Sequence, residues 1–418
     1  MSGAAQRSKN DLACTPIIRA GQKEWFLNLH KQVAEGKPYV FSEAYVPHEI
    51  LEAFDLPYVI NEWWSGLVAA RRQSAYYFND LEQRGFHSGL ERYTALAYAT
   101  VADDRNPDPP WGGLPKPLFT TFAISAGRPQ NIPRWEQLSK LWGVPCMPIE
   151  CPMTGRPMAA HWWDVSRRGW ESIYQTYHLD YMTENFKEFI KFCEDMTGTR
   201  LDMEKLREAV DRGNQQQKYF EEIRDAMRNH KSTLTMNEQL GNVMTIQWRR
   251  GSEWALNMAK MFRDEVLERV RNEQWVCPNE QVRLLWLGRG MWQNTSFYRA
   301  FEESHGAVFV RSMYMSIAID GYPRYGRDPV RALAARYCGL GLLNLDWDIY
   351  DAKAHRVAGV VAAADNVTGR QRTAFENAGL PLLALNVDLV DSRTYDEQAL
   401  HNQMTEYLEK TLGVPRLN

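Results

Sequence analysis

The residues best placed for chemistry follow two apolar runs in the last third of the chain. Arg311, Tyr314, Tyr322 and Tyr325 fall in a polar–aromatic loop beyond Ala307–Val310, and Trp292 follows Val282–Gly288. This mixture of a guanidinium, phenols and an indole at strand ends suits contact with a ligand. Two groups suit proton transfer. Glu150 precedes Cys151-Pro152 at the end of an expected strand, and a general base there needs a raised pKa and a partner. His161, followed by Trp162-Trp163, is a better acid–base candidate than His305 or His355, which lie near turns. The pairs Trp63-Trp64 and Trp162-Trp163 are candidates for a pocket wall. Neighbours on a helix do not share a face, so at most one of each pair is expected to point inward.

Cysteines and glycines add little to these sets. Cys14, Cys146, Cys151, Cys193, Cys277 and Cys338 are scattered, which fits reduced thiols and not a disulfide framework. Cys146 and Cys151 flank four residues within and beyond an apolar run, and ordinary buried thiols are expected there. The glycines of GRGMWQN (288–294) and GLGLLN (339–344) lack the spacing of a dinucleotide-binding turn.

The elements that must position these residues read as α/β. Val282–Gly288, a helical segment around Phe297–Ser304 and Ala307–Val310 make a strand–helix–strand unit, which implies a parallel sheet. Open sheets of this kind bind ligands beyond the carboxyl ends of their strands. Further strands are expected at Val357–Ala362 and Pro381–Val387, with a closing helix at Asp396–Leu412. Earlier in the chain the expected strands are Tyr39–Ala44, Tyr58–Ile60, Leu118–Ser125 and Val144–Ile149. Helices are expected at His48–Phe54, Trp63–Arg84 and Trp135–Trp142. Between these blocks, Phe186, Phe189, Ile190 and Cys193 fall on one helical face, and Asp202 is the expected N-cap of Met203–Asn229; later, Asp328-Pro329 is expected to start the helix Val330–Tyr337, with Asp328 as its N-cap. The fold class is therefore two parallel-sheet α/β domains joined by helices. The expected boundaries are 1–38 (helical arm), 39–165, 166–280 (helical bridge) and 281–418.

With 49 basic and 52 acidic residues the 418-residue chain has net charge −3, and no basic run points to nucleic acid. No stretch approaches the roughly 18 apolar residues of a membrane span. The first residues lack the apolar core of a signal peptide, so a cytoplasmic protein is expected.

Four segments in order resemble the benzoyl-CoA reductase / 2-hydroxyacyl-CoA dehydratase family. They are VPHEILEAFDLPYVINE (46–62); LPKPLFTTFAIS with RWEQLSKLWGVPCMPIECP; YMTENFKEFIKFCEDMTGTRLDMEKLREAVDRGNQ; and VAGVVAAADNVTGRQRTAFENAGLPLLALNVDLVDSRTYDEQALHNQMTEYLE. The resemblance covers nearly the whole chain. It implies two flavodoxin-like domains, heterodimers of homologous subunits, a [4Fe-4S] cluster beside a coenzyme A thioester, and an ATP-dependent activator that delivers a low-potential electron. It also implies cluster cysteines near Leu90-Glu91-Arg92-Tyr93, at Ser125–Gln130 and near Ala364-Asp365-Asn366, and none of these places holds one. Carboxylates and amides are poor substitutes for soft thiolates.

The expectation is therefore a subunit of a reductase or dehydratase (a lyase) in anaerobic breakdown of an aromatic or a 2-hydroxy/dicarboxylic acyl-CoA, with no cluster in this chain. It would complete the substrate cleft and dock a homologous partner that bears the cluster. Arg71 and Arg72 are candidates for the coenzyme A phosphates, and Trp292, Arg311, Tyr314, Tyr322 and Tyr325 for the acyl-CoA cleft wall. Two alternatives stay open: a scaffold or regulatory paralogue without turnover, and a redox-independent hydratase or lyase using Glu91 or Glu150.

Overall fold

The structure, a computed structural model, describes residues 11–86, 92–103, 105–106, 108–124, 131–151, 162–165, 169–315, 324–340 and 345–417. Two four-stranded sheets, all parallel, form its frame. The first comprises β1 (Val40–Ser42), β2 (Tyr58–Ile60), β3 (Phe119–Ile124) and β4 (Cys146–Glu150), in the order β2-β1-β3-β4. The second comprises β5 (Val282–Leu287), β6 (Ala307–Ser312), β7 (Gly359–Ala363) and β8 (Leu382–Leu385), in the order β6-β5-β7-β8. The two α/β units expected from the sequence are thus present, and their strand orders are the same.

Burial explains the strand sequences. Every residue of β5, β6 and β7 is buried, as parallel strands covered by helices on both faces must be, and their sequences are near-continuous apolar runs. In register, Val282 pairs with Ala307 and Leu284 with Gly359. Gly306, which turns the chain into β6 at φ +59°, has no room for a side chain: a Cβ there would collide with the Asn279 carbonyl oxygen. The segment between β5 and β6 is a 3-10 turn, Thr295–Arg299, and a single helical turn, Glu302–His305, in place of one continuous helix.

The helix expected over 63–84 is two helices, Asn61–Ala70 and Ser74–Gln83. Arg72 adopts φ +59° between them, while Gln73 N–H donates to Val68 O and Arg72 N–H to Ala69 O. This is a Schellman closure without glycine, and it turns the backbone through an intrinsically strained residue. Other signals fit. Asp202 Oδ1 accepts from Glu204 N–H and Lys205 N–H at the start of Met203–Asn229. Asp328 Oδ1 accepts from Val330 N–H at the start of Pro329–Leu340. Phe186, Phe189 and Cys193 are buried along Thr176–Thr197.

Both members of the pair Trp162-Trp163 are buried, where one was expected to face out. Their helix, Trp162–Val165, is only one turn, and Trp347 and Tyr350 of Leu345–Ala354 cover its second face; Trp163 stacks on Tyr350 at 5.0 Å. The pair Trp63-Trp64 does divide: Trp64 is fully buried with its Nε1–H donating to Thr100 Oγ1, and Trp63 is half-buried.

The N-terminal helix Cys14–Ala34 is fastened to the helical bridge. Ala13 N–H and Cys14 N–H donate to the Glu265 carboxylate on Glu253–Arg271, Leu12 N–H to Glu238, and Asn242 Nδ2 to Thr15 Oγ1. Following a Thr235/Glu238 capping box, the bridge forms a π-turn, Gln239–Val243, and then the helical turn Met244–Gln247. No helix among the described residues is long and apolar enough to cross a membrane.

Candidate functional site

In each sheet the strand order reverses beside its first strand, at β1/β3 and at β5/β7, which is where open α/β sheets leave a crevice. Residues just beyond the strand ends of both sheets face one chamber. Ala44 and Tyr45 follow β1, Glu62 follows β2, Arg289 and Trp292 follow β5, and Met313 and Tyr314 follow β6. Tyr93, Met244, Trp248, Arg250 and Arg336 complete its walls. Its volume is about 60 Å3, several times what one water needs. Met244, Trp248 and Trp292 also line an adjoining open groove of about 470 Å3, so these three side chains form the partition between the two spaces.

The β5 loop is held rigidly. Gly290 N–H donates to Tyr314 Oη at 2.8 Å, Tyr93 O–H donates to Gly290 O at 3.1 Å, and Met291 N–H donates to Tyr298 Oη at 2.7 Å. Trp292 N–H donates to Leu389 O. Gly290 is needed because a Cβ would lie 3.1 Å from Leu240 Cδ2 and 3.2 Å from the Trp292 ring. Burial pushes the phenols of Tyr93 and Tyr314 above the usual tyrosine range, so both stay protonated near neutral pH. The Arg289 guanidinium lies 4.2 Å from the centre of the Tyr93 ring.

On the opposite side, Glu62 Oε2 accepts from Ala44 N–H at 3.0 Å, and Glu43 Oε2 accepts from Ala123 N–H at 2.8 Å, tying β1 to β3 at the switch point. Arg250 Nε donates to Glu49 Oε1 at 2.7 Å, and its Nη2 to Tyr337 Oη at 2.8 Å. Burial, with the Arg250 charge, holds the His48 imidazole well below its ordinary pKa. Its Nδ1 faces Arg250 Nη2 at 3.3 Å and must accept there, which leaves the proton on Nε2 to donate to Glu43 O at 3.1 Å. The chamber therefore combines aromatic walls with three guanidinium groups and one carboxylate, an arrangement able to hold a group on which negative charge develops.

Of the residues expected from sequence, Trp292 and Tyr314 line this chamber. Arg311 does not: it is buried, with Nε donating to Asp351 Oδ2 at 2.5 Å and Nη2 to Asp348 Oδ1 at 2.7 Å. Its position on β6, before the strand end, turns it toward Leu345–Ala354. Tyr325 is half exposed away from the chamber, and its carbonyl accepts from Trp170 Nε1–H. Glu150 is exposed and accepts from Tyr181 O–H. Glu91, His161 and Tyr322 lie outside the described residues. Arg71 stands over the Trp111 ring at 6.0 Å, beside the outer groove. The reading from sequence missed Glu62 and Arg289, although each stands within two residues of an expected strand end. Tyr93, Trp248, Arg250 and Arg336 carry no such signal, because two helices and the turn after Met244–Gln247, far apart in sequence, deliver them.

Of the places where the resemblance implies cluster cysteines, Leu90-Glu91 and Ser125–Gln130 lie outside the described residues; at the other places the described side chains Arg92 and Asp365 do not fit a cluster. Arg92 is paired with Asp388 at 2.9 Å and with Asp365 and Asp391 at 3.5 Å. These are a hard cation and hard anions already satisfied by one another, joining the first domain's helix Arg92–Ala102 to loops of the second. Among the described residues no group of three or more His, Cys, Asp and Glu is arranged to hold a metal ion. Burial pushes the Cys338 thiol up to about 12 and that of Cys151 higher still, so neither is a ready thiolate.

A search of curated proteins returned no match. A family model described as 2-hydroxyglutaryl-CoA dehydratase, D-component, matches residues 43–410. That span takes in β2 to β8, the helical bridge and every residue named above as lining the chamber, and with it the chain belongs to the 2-hydroxyglutaryl-CoA dehydratase D-component family.

Proposed function

We propose that this chain is a subunit of an enzyme that reduces or dehydrates an acyl-CoA, and that its cleft takes the thioester. The observation that carries the reading is the two-part space between the sheets: a narrow chamber lined by Glu62, Arg289, Tyr93 and Tyr314, with a larger groove on the other side of Met244, Trp248 and Trp292. The acyl end occupies the chamber and the coenzyme A arm leaves along the groove. Negative charge on the thioester oxygen faces guanidinium groups in a water-poor site, where such contacts are strongest.

In this proposal the chain carries no [4Fe-4S] cluster. A homologous subunit supplies the cluster, an ATP-dependent activator reduces it, and this chain docks that partner and completes the cleft. The Arg92 ion-pair group supports the reading, because it fills a place where thiolate ligands would otherwise be needed.

Calorimetric titration of the full-length chain with benzoyl-CoA and with a 2-hydroxyacyl-CoA tests the cleft. Saturable binding with a change in tryptophan fluorescence is expected, and no binding of either refutes the assignment. Iron analysis and the visible spectrum of anaerobically purified protein test the rest. About four irons per chain, with broad visible absorption, would overturn the cluster-free part.

A further inference from the structure

We infer that the outer groove is a site for the phosphate-bearing nucleotide end of the thioester, read by Arg19 and Lys23 of the N-terminal helix. The inference rests on the thioester reading above and adds a recognition element that lies outside the span matched by the family, since Cys14–Ala34 precedes residue 43. Arg19 and Lys23 are exposed, one helical turn apart, and both line the groove. Its described lining residues include no Asp or Glu, so the groove is one-signed. Arg19 reaches over the π-turn at Gly241, where a Cβ would lie 3.7 Å from its Nη2.

Across from these cations stand two indoles. Trp63 and Trp111 have ring centres 5.7 Å apart and both line the groove. Trp111 is held in the left-handed region (φ 48°, ψ 31°) between Pro109-Pro110 and Gly112-Gly113. That conformation is strained for a residue with a side chain, and strain of this kind persists where the surroundings hold a group for use. Its indole N–H is buried and has no hydrogen-bond partner among the described residues. Two cations for phosphates beside two indoles for a base, in a groove adjoining the chamber, match the nucleotide end of an acyl-CoA.

The test compares benzoyl-CoA with S-benzoylpantetheine, which lacks the nucleotide, on the full-length chain by calorimetry. Benzoyl-CoA is expected to bind at least about tenfold more tightly, and Arg19→Ala or Lys23→Ala to remove roughly tenfold each from benzoyl-CoA and nothing from S-benzoylpantetheine. Trp111→Leu weakens the same ligand selectively, and Trp111→Phe restores most of the affinity. Thermal midpoints confirm that the variants fold, as both cations are exposed. Equal affinities for the two thioesters, unmoved by the substitutions, would overturn the groove assignment and leave the thioester reading standing. Binding of neither thioester would overturn both.

Discussion

Replacing Arg311 with Met separates a buried structural ion pair from a ligand contact. Arg311 joins Asp351 at 2.5 Å and Asp348 at 2.7 Å, and its side chain is 1 % exposed. At an effective dielectric constant near 20, each arm has a gross attraction of about 6 kcal/mol. Much of that is offset by the desolvation of the guanidinium, which the substitution also removes. Asp351 is not stranded, because Arg228 and His355 still reach it. Asp348 is, with its carboxylate one-fifth exposed. A net loss of about 3 kcal/mol follows, at the lower end for a broken buried pair. With an unfolding entropy of roughly 0.9 kcal/mol/K for a chain of this length, the thermal midpoint falls by about 3 °C if the chain melts as one unit.

The pH dependence gives the sharper signature. Burial would raise Asp351, but His355, Arg311 and Arg228 outweigh it and hold its carboxyl well below the usual range. That depressed group stabilises the fold above its unfolded pKa and loses its contribution only as pH falls through the acid range. Asp348 is the reverse case: burial raises it, and Arg311 is the cation that opposes the rise. Without Arg311 its folded pKa climbs further, so the variant's deficit shrinks as pH falls toward 5 and grows as pH rises toward 8. Urea denaturation of both proteins from pH 5 to 8, with benzoyl-CoA titration at pH 7, reads both effects. An unchanged urea midpoint together with lost thioester binding would refute the placement of Arg311 in the interior.

Three further outcomes follow from the geometry. Gly290→Ala presses on Leu240 and the Trp292 ring, and should cost about 1–2 kcal/mol in stability and lower benzoyl-CoA affinity, both measurable by urea titration and calorimetry. Arg92→Met removes the cation shared by Asp365, Asp388 and Asp391, and should lower the unfolding free energy from urea titration by about 1–3 kcal/mol, with a smaller difference in 1 M salt because Arg92 is partly exposed. Burial raises Cys338 to about 12 and also raises Cys14, Cys151 and Cys193, so native protein at pH 8 should resist iodoacetamide at these four positions; rapid labelling of Cys338, read by mass spectrometry, would contradict its burial.

The frame was legible where local chemistry and burial agree. The apolar runs of β5, β7 and β8, the stripe of Phe186, Phe189 and Cys193, and the caps Asp202 and Asp328 all carry their own signal. The break at Arg72 does not, because a Schellman closure usually advertises itself with glycine. Arg311 misled for a related reason. A charged residue at a strand end suggests a ligand, and only the tertiary approach of Asp348 and Asp351 shows that its partners are internal. The chamber was half legible: Trp292 and Tyr314 follow strands, while Arg250 comes from a turn and Arg336 from a helix, and the seating of both depends on the whole fold. The π-turn at Gln239–Val243 has no pattern in sequence, since it inserts one residue into an otherwise helical stretch.

The bracing of the β5 loop has a thermodynamic consequence. Its hydroxyls come from both halves of the molecule: Tyr93 lies on a helix of the first domain, and Tyr298 and Tyr314 belong to the second. Under the thioester reading, a ligand seated against Trp292 and Arg289 would bear on a loop that both halves hold in place. Under the proposed function, seating of the thioester and docking of a partner would each favour the other through these bonds.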